Sequence, residues 1–113
     1  MRKDALLSQA RLAYEANEVA DIEHAIDFAT AAHKGQKRKS GEAYITHPLS
    51  VAAILIDWGM DIDTIVAGIL HDTVEDTPIT LTDIENNFGH DIAFLVDGVT
   101  KVSIARSGMK DLT

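Results

Sequence analysis

Four polar side chains that can bind a metal ion or exchange a proton crowd near the end of one apolar segment. His71 and Asp72 are adjacent, Glu75 follows His71 by four residues, and Asp76 follows Asp72 by four. On a helix this spacing gathers all four groups about one helical turn. Imidazole plus carboxylate suits Mn²⁺, Fe²⁺ or Zn²⁺. A carboxylate beside such an ion could act as a base toward a water molecule.

The same acids have an alternative interpretation, the frayed acidic end of a helix. Like charges four residues apart destabilise an isolated helix by roughly 0.2–0.5 kcal/mol, a cost that a divalent cation would offset. A third ligand must come from another element, and His47 is the best placed because Pro48 beside it favours a rigid helix start. An adjacent His–Asp pair alone is weak evidence, since a capping histidine next to a solvated aspartate explains most of them.

The charges of the chain are unevenly distributed. The net charge is −8, from 10 Lys+Arg and 18 Asp+Glu, which argues against a general nucleic-acid partner. The cations Lys34, Lys37, Arg38 and Lys39 lie together in a glycine-containing segment, residues 34–42, called here the cationic loop. Such a loop can neutralise phosphates, and arginine can also stack on a base. A solvated charged loop is the alternative.

The cationic loop is followed by a long anionic stretch. No Lys or Arg occurs between Ser40 and Thr100, although many acids do. A short cationic loop facing an anionic stretch is typical of a site that holds a metal cation and a polyphosphate together. For most of these acids the alternative, solvation of helix exteriors, is the better explanation.

The elements that position these residues are predicted to be short helices, without strand alternation or repeats. Helix starts and stops follow from capping residues, glycines and prolines. We expect a first helix through Leu6–Ala13 ended by Asn17, a second from an Asp21 N-cap to Gly35, and a loop over 35–46. A third helix should run from Pro48 to Gly59 and a fourth from Asp61 or Asp63 to Pro78. A fifth should be capped by Thr80 with Asp83 or by Thr82 with Glu85 and end at Gly89, and a sixth should carry Ile92, Ala93, Val96 and Val99.

Length and composition exclude several classes of protein. The 113 residues make at most one domain, and the absence of cysteine excludes disulfides, thiolate metal sites and cysteine nucleophiles. No segment approaches the roughly 18 apolar residues of a membrane span, and the first residues lack the apolar core of a signal peptide. We therefore expect a cytoplasmic protein with no membrane partner.

Three segments in series resemble the hydrolase domain of the RelA/SpoT alarmone enzymes, members of the HD phosphohydrolase superfamily. They are AHKGQKRKSGEAYITHP (32–48), LHDTVEDT (70–77) and FGHDIAFLVDGVTK (88–101). The resemblance covers roughly residues 20–101. It departs at Ala43, where the family usually has proline, a change that affects loop stiffness rather than chemistry.

The resemblance implies a Mn²⁺-dependent enzyme that removes the 3′-pyrophosphate of guanosine tetra- or pentaphosphate, giving GDP or GTP plus pyrophosphate. It implies roles for eight residues. Tyr44 either lines the pocket or packs under the loop, His33 at the end of an apolar stripe is expected to be structural, and His24 and His90, which match no functional position, are expected at the surface. The eight are His47, His71 and Asp72 as metal ligands, Glu75 and Asp76 as the acids that orient or deprotonate the attacking water, and Arg38, Lys39 and Ser40 as the nucleotide-contacting loop.

The expected fold is an all-α HD-domain helical bundle that is incomplete on its C-terminal side. We predict an N-terminal helix in 1–20, the first half of the hydrolase core in 21–101, and an unstructured tail in 102–113. The family's later helix supplies a further Asp ligand, which neither Asp97 nor Asp111 replaces. Metal affinity should therefore be low in this chain, and an apolar face left open could drive self-association.

Two other functions remain open. The chain could be a catalytically incomplete scaffold or a nucleotide-binding, regulatory module. It could also belong to an HD phosphohydrolase for a different nucleotide. An active parent enzyme is favoured by the presence of all five metal-binding and acid positions, His47, His71, Asp72, Glu75 and Asp76. Metal-dependent release of pyrophosphate would test that activity.

Overall fold

The computed structural model describes residues 2–37, 41 and 43–111, with the backbone alone from residue 102 onward. Its regular elements are helices, and the one β feature in the described part is an isolated antiparallel bridge between Lys37 and Ala43. The prediction of an all-α fold is confirmed. The helices are α1 (Lys3–Arg11), α2 (Ala16–Ala32), α3 (Thr46–Asp57), α4 (Ile62–Asp76), α5 (Leu81–Phe88) and α6 (His90–Asp111).

Helix α4 is the centre of the bundle, since it packs against α2, α3 and α6. Its apolar positions recur at helical spacing and are almost completely buried: Ile65, Val66, Ile69 and Leu70 expose at most 2 % of their surface. Burial of one such side chain contributes about 1.5–3 kcal/mol relative to leaving it in water. The same helix carries His71–Asp76 at its C-terminal end, so the core fixes the element on which the polar cluster stands.

Local signals place the boundaries of α3, α4 and α5. Gly59, with a φ of 70°, follows the end of α3, and Asp61 is the N-cap of α4. Thr80 and Asp83 form the predicted capping box: the Asp83 amide donates to Thr80 Oγ1 at 3.2 Å, and the Thr80 amide donates to Asp83 Oδ2 at 2.9 Å. Helix α5 then ends at Gly89, which has a φ of 94°.

Three predicted boundaries in the N-terminal half are wrong. Helix α2 begins at Ala16, so Asn17 lies in its first turn rather than ending α1, and Asp21 is not its N-cap. The N-cap is Glu15, whose amide donates to Glu18 Oε1 at 3.0 Å. Glutamate is not among the residues that usually cap a helix N-terminus, which are Ser, Thr, Asp and Asn, so the sequence pattern did not indicate this start. Pro48 stands at the third position of α3, not at the first.

Helix α6 also differs from the prediction. It continues to Asp111, so an unstructured tail after Lys101 is wrong for residues 102–111, while 112 and 113 lie outside the described residues. Of its predicted stripe, Ile92, Ala93 and Val96 are buried, but Val99 is 43 % exposed. Phe94, outside that stripe, is 70 % exposed. Within the described residues, no helix is both long enough and apolar enough to cross a membrane.

We expect the apolar side chains Phe94, Leu95 and Val99 on α6 to promote self-association, as large exposed apolar patches do. Sedimentation velocity over a range of protein concentrations should show a growing dimer fraction for the wild type and less of it for Phe94→Ser. A monomer at every concentration would contradict the prediction.

The capping box gives a stability prediction with a built-in control. Thr80→Ala removes the oxygen that accepts from the Asp83 amide and should lower the free energy of unfolding by about 1 kcal/mol. Thr82→Ala, at an exposed position inside α5, should leave stability unchanged or slightly raise it. Urea unfolding followed by circular dichroism measures both. Equal losses for the two variants would mean that the box does not cap α5.

Candidate metal-binding and hydrolytic site

The site is built where α3 and α4 pack as an antiparallel pair. The short connection 58–61 turns the chain back on itself, which places the first turn of α3, with His47, beside the last turns of α4. The two helices approach closely at Gly68, where an added Cβ would lie 3.0 Å from Leu55 Cδ1. A side chain at 68 would therefore require the end of the Leu55 side chain to shift by a few tenths of an ångström.

His71 is held in one orientation by two contacts. Its Nδ1 lies 2.7 Å from the carbonyl oxygen of Gly68, and its Nε2 lies 2.9 Å from Asp72 Oδ1. A carbonyl oxygen only accepts, so Nδ1 carries a proton and donates it. Deprotonated, His71 would therefore present the lone pair of Nε2 on the side of the Asp72 carboxylate. Metal-ligating histidines have this arrangement, with the second ring nitrogen donating to a backbone carbonyl.

The ionisation of the pair follows from its environment. Burial alone would raise the pKa of Asp72, which is 9 % exposed. The hydrogen bond and charge of His71, together with the charges of His47 and His33, instead hold that pKa below its ordinary value. The hydrogen bond that His71 donates to Asp72 raises the pKa of His71 despite burial, helped by the Gly68 carbonyl and the charges of Asp72 and Glu75. Asp72 is thus a carboxylate that three histidines stabilise.

These donors fit a divalent cation in type. Neutral imidazole nitrogen and a carboxylate oxygen are ligands of Mn²⁺, Fe²⁺ and Zn²⁺, and His71 Nε2 and Asp72 Oδ1 already face each other. Among the described residues, however, no three His, Cys, Asp or Glu side chains lie close enough together to hold an ion. His47 acts on Asp72 through its charge, and its role as third ligand stays a prediction.

The two predicted acids differ in their surroundings. Both are exposed, but Tyr44 donates its hydroxyl proton to Asp76 Oδ2 at 2.5 Å. Among the described residues the Glu75 carboxylate accepts no hydrogen bond, and its charge acts on His71. Sequence reasoning treated the pair as equivalent and left Tyr44 as either a pocket residue or packing under the loop. The structure brings the Tyr44 hydroxyl to the acid cluster.

His33 is the residue that sequence reasoning undervalued. It is buried, as predicted for a structural histidine, at 3 % exposure. Its ring stacks on that of Tyr44 with centroids 4.4 Å apart, and its Nδ1 lies 3.1 Å from Gln36 Oε1. Its Nε2 is inaccessible and has no hydrogen-bond partner among the described residues. Its position directly before the cationic loop was the one sequence signal that could have placed it at the site.

The remaining predicted residues are divided between surface and loop. His24 and His90 are exposed, as predicted. The nucleotide-contacting residues Arg38, Lys39 and Ser40 lie outside the described residues. The chain on either side of them is described: Lys37 and Ala43 form the antiparallel bridge, and the Tyr44 amide donates to the Gln36 carbonyl at 3.3 Å.

A protein-family model described as an HD domain matches residues 25–111, which includes every predicted site residue. The chain belongs to the HD-domain family. That family is one of metal-dependent hydrolases. Membership of this family therefore agrees with the metal chemistry that the imidazole and carboxylate donors of the polar cluster suggest.

Comparison with curated proteins gives several relatives of high identity. The chain is 51 % identical over 94 residues to a GTP pyrophosphokinase of Streptomyces coelicolor, covering 83 % of this chain and 11 % of the relative. It is 52 % identical over 82 residues to a guanosine-3′,5′-bis(diphosphate) 3′-pyrophosphohydrolase of Aquifex aeolicus, covering 73 % and 12 %. It is 46 % identical over 86 residues to the bifunctional (p)ppGpp synthase/hydrolase SpoT of Escherichia coli, covering 76 % and 12 %.

These relatives confirm the resemblance to the RelA/SpoT enzymes. The HD-domain chain spans only about a tenth of the length of the curated relatives that it matches. The similarity thus identifies the family of this region.

The His71–Asp72 pair gives a prediction for the metal-free protein in chelator. The His71 pKa is raised in the folded state, so the pair contributes stability fully below about pH 6.5, the unfolded value, and loses it as the pH rises through the folded pKa. Asp72→Asn should lower the His71 pKa, seen by NMR titration of the ring protons. It should also destabilise the chain more near pH 5.5 than near pH 9. An unshifted His71 titration in the variant would contradict the pairing.

Proposed function

We propose that this chain forms part of a (p)ppGpp 3′-pyrophosphohydrolase site that uses one divalent cation, Mn²⁺ by preference. The observation that carries the proposal is the His71–Asp72 pair, whose Nε2 and Oδ1 atoms face each other beside two further carboxylates. The identity of about one half to the Aquifex aeolicus and Streptomyces relatives supports the substrate, a guanosine tetra- or pentaphosphate.

Bound at His47, His71 and Asp72, the cation would supply Lewis-acid chemistry: it would lower the pKa of a water molecule and screen the charge on the phosphate. The Gly68 carbonyl keeps the His71 proton on Nδ1 and leaves Nε2 available to the ion. The surrounding imidazoles keep Asp72 ionised despite its burial. The protein's contribution is thus to fix the tautomer of one ligand and the charge of another.

The proposed reaction is a hydrolysis at the phosphorus atom attached to the 3′ oxygen. A water oxygen forms a bond to that phosphorus, and the bond between phosphorus and the 3′ oxygen breaks. Glu75 accepts a proton from the water and Asp76 orients it, while the 3′ oxygen of the departing GDP or GTP takes up a proton. Water and the alarmone are consumed, and pyrophosphate and the nucleotide are released.

The cationic loop is assigned the opposite end of the substrate. Arg38 and Lys39 would neutralise phosphate charge, Ser40 would donate its hydroxyl proton, and the planar guanidinium of Arg38 would pack on the guanine. Support comes from the base of the loop: Gln36 and Tyr44 are bonded to Asp76, so the loop emerges directly beside the acid cluster. Metal and polyphosphate would then be held a short distance apart.

Two alternative functions are separated from this one by the metal. A scaffold or regulatory module would bind the alarmone without turnover and equally well in excess chelator. An HD hydrolase for a different nucleotide would retain metal-dependent activity but not favour ppGpp. Calorimetry with ppGpp, with and without chelator, distinguishes the first alternative, and a panel of nucleotides distinguishes the second.

The decisive measurement is pyrophosphate release from ppGpp with and without Mn²⁺. His71→Ala should reduce release by at least about 100-fold, since even outer partners of metal ligands cost about 10–100-fold when removed. His90→Ala, an exposed histidine away from the cluster, is the matched control and should match the wild type. Absence of release from the wild type with Mn²⁺ would contradict the proposed function for this chain.

A further inference from the structure

Asp76 makes two contacts that its role beside a water molecule does not require. Its backbone oxygen accepts from Gln36 Nε2 at 2.9 Å, and its carboxylate Oδ2 accepts from the Tyr44 hydroxyl at 2.5 Å. Gln36 and Tyr44 are also hydrogen-bonded to each other through their backbones. In the sequence they flank residues 37–43, a segment that contains most of the cationic loop. One residue at the end of α4 therefore holds both ends of that segment.

His33 adds a further hydrogen bond to these contacts, and the donor and acceptor of that bond can be assigned. Because Gln36 Nε2 donates to the Asp76 carbonyl, the other atom of the amide, Oε1, is the one that faces His33. An amide oxygen only accepts, so His33 Nδ1 is the donor. The His33 ring also stacks on Tyr44, at an interplanar angle of 19°. His33, Gln36, Asp76 and Tyr44 thus form a closed ring of contacts, called here the anchor ring.

Tyr44 remains a donor within the anchor ring. Its burial, its hydrogen bond to Asp76 and the charges of Asp72 and Asp76 raise the pKa of the hydroxyl above its ordinary value. The hydroxyl therefore keeps its proton throughout the neutral range. A charge-assisted hydrogen bond of this kind is about twice as strong as one between neutral groups.

We propose that Tyr44 and Asp76 are positioning residues that fasten the cationic loop to the last turn of α4. The inference rests on the proposed function only where it concerns the substrate: a loop held at both ends beside the acids keeps its cations at a fixed distance from the reacting phosphate. Loss of the anchor should therefore weaken binding of ppGpp, because the loop must then be ordered at the moment of binding.

The first test uses the metal-free chain and needs no substrate. All cleavage sites for trypsin between Lys34 and Thr100 lie within residues 34–39, so cutting in the loop gives fragments of recognisable mass. Tyr44→Phe keeps the ring that stacks on His33 but removes the hydroxyl, and it should speed cleavage after Lys37 by about tenfold. Asp76→Ala should do the same, whereas Asp76→Asn, which keeps an oxygen acceptor, should stay within about twofold of the wild type.

The matched control is the second tyrosine of the chain. The Tyr14 hydroxyl donates to the Met60 carbonyl at 2.5 Å, and neither residue belongs to the cationic loop or to the anchor ring. Tyr14→Phe should leave cleavage in the loop unchanged. The double variant Tyr44→Phe/Asp76→Ala should be cut no faster than either single variant, because both remove one interaction. Wild-type cleavage rates in Tyr44→Phe, or additive effects in the double variant, would overturn the proposal.

The second test connects the anchor to catalysis. In the pyrophosphate assay, Tyr44→Phe should raise the KM for ppGpp by about tenfold and change kcat by less than threefold, whereas Tyr14→Phe should change neither. A fall in kcat at unchanged KM would overturn the positioning role. Absence of turnover in the wild type would refute the proposed function, and the proteolysis experiment would still decide whether Tyr44 and Asp76 anchor the loop.

Discussion

The hydrogen bond between His71 and the Gly68 carbonyl is the interaction on which the rest of the site depends. The Gly68 oxygen lies 2.7 Å from His71 Nδ1 and accepts its proton, so Nε2 is the nitrogen on the side of Asp72. The same glycine lies in the contact between α3 and α4, where an added Cβ would be 3.0 Å from Leu55 Cδ1. One residue therefore takes part both in the packing of the two helices and in fixing the tautomer of the central imidazole.

The site places a carboxylate where burial alone would penalise its charge. Removing an ion from water costs several kcal/mol unless other charges and hydrogen bonds compensate. Asp72 receives that compensation from His71 through a direct hydrogen bond and from His47 and His33 through their charges. These histidines come from α4, from the start of α3 and from the end of α2. One buried aspartate is thus compensated by side chains from three separate elements that meet at this end of the bundle.

The parts of this arrangement that sequence could predict are those with a local cause. Gly59 and Gly89 each act on the adjacent turn of backbone and marked their helix boundaries correctly. For the starts of α4 and α5 the sequence left two candidates each, and the structure selects Asp61 and the Thr80–Asp83 box. The start of α2 was missed because its N-cap is a glutamate, and α6 was ended too early because apolar periodicity fades after Lys101. The anchor ring could not be found at all. It joins residue 33 to residue 76, and no local pattern encodes a contact over that separation.

The last turn of α4 also answers a question that its sequence raises, namely why acids are crowded where a helix gains nothing from them. Carboxylates near a helix C-terminus face the negative end of the macrodipole and repel one another. Asp72 is compensated by His71, and Asp76 by the hydrogen bond from Tyr44, so two of the three acids are tied to groups outside the α4 backbone. Glu75 is left exposed to solvent beside them. Tertiary contacts thus offset the unfavourable position of two acids but not of the third. An unfavourable residue without such compensation is expected where chemistry, rather than stability, determines the residue. On that argument Glu75 is the group whose presence folding explains least, which supports the proposal that it accepts the proton of the water.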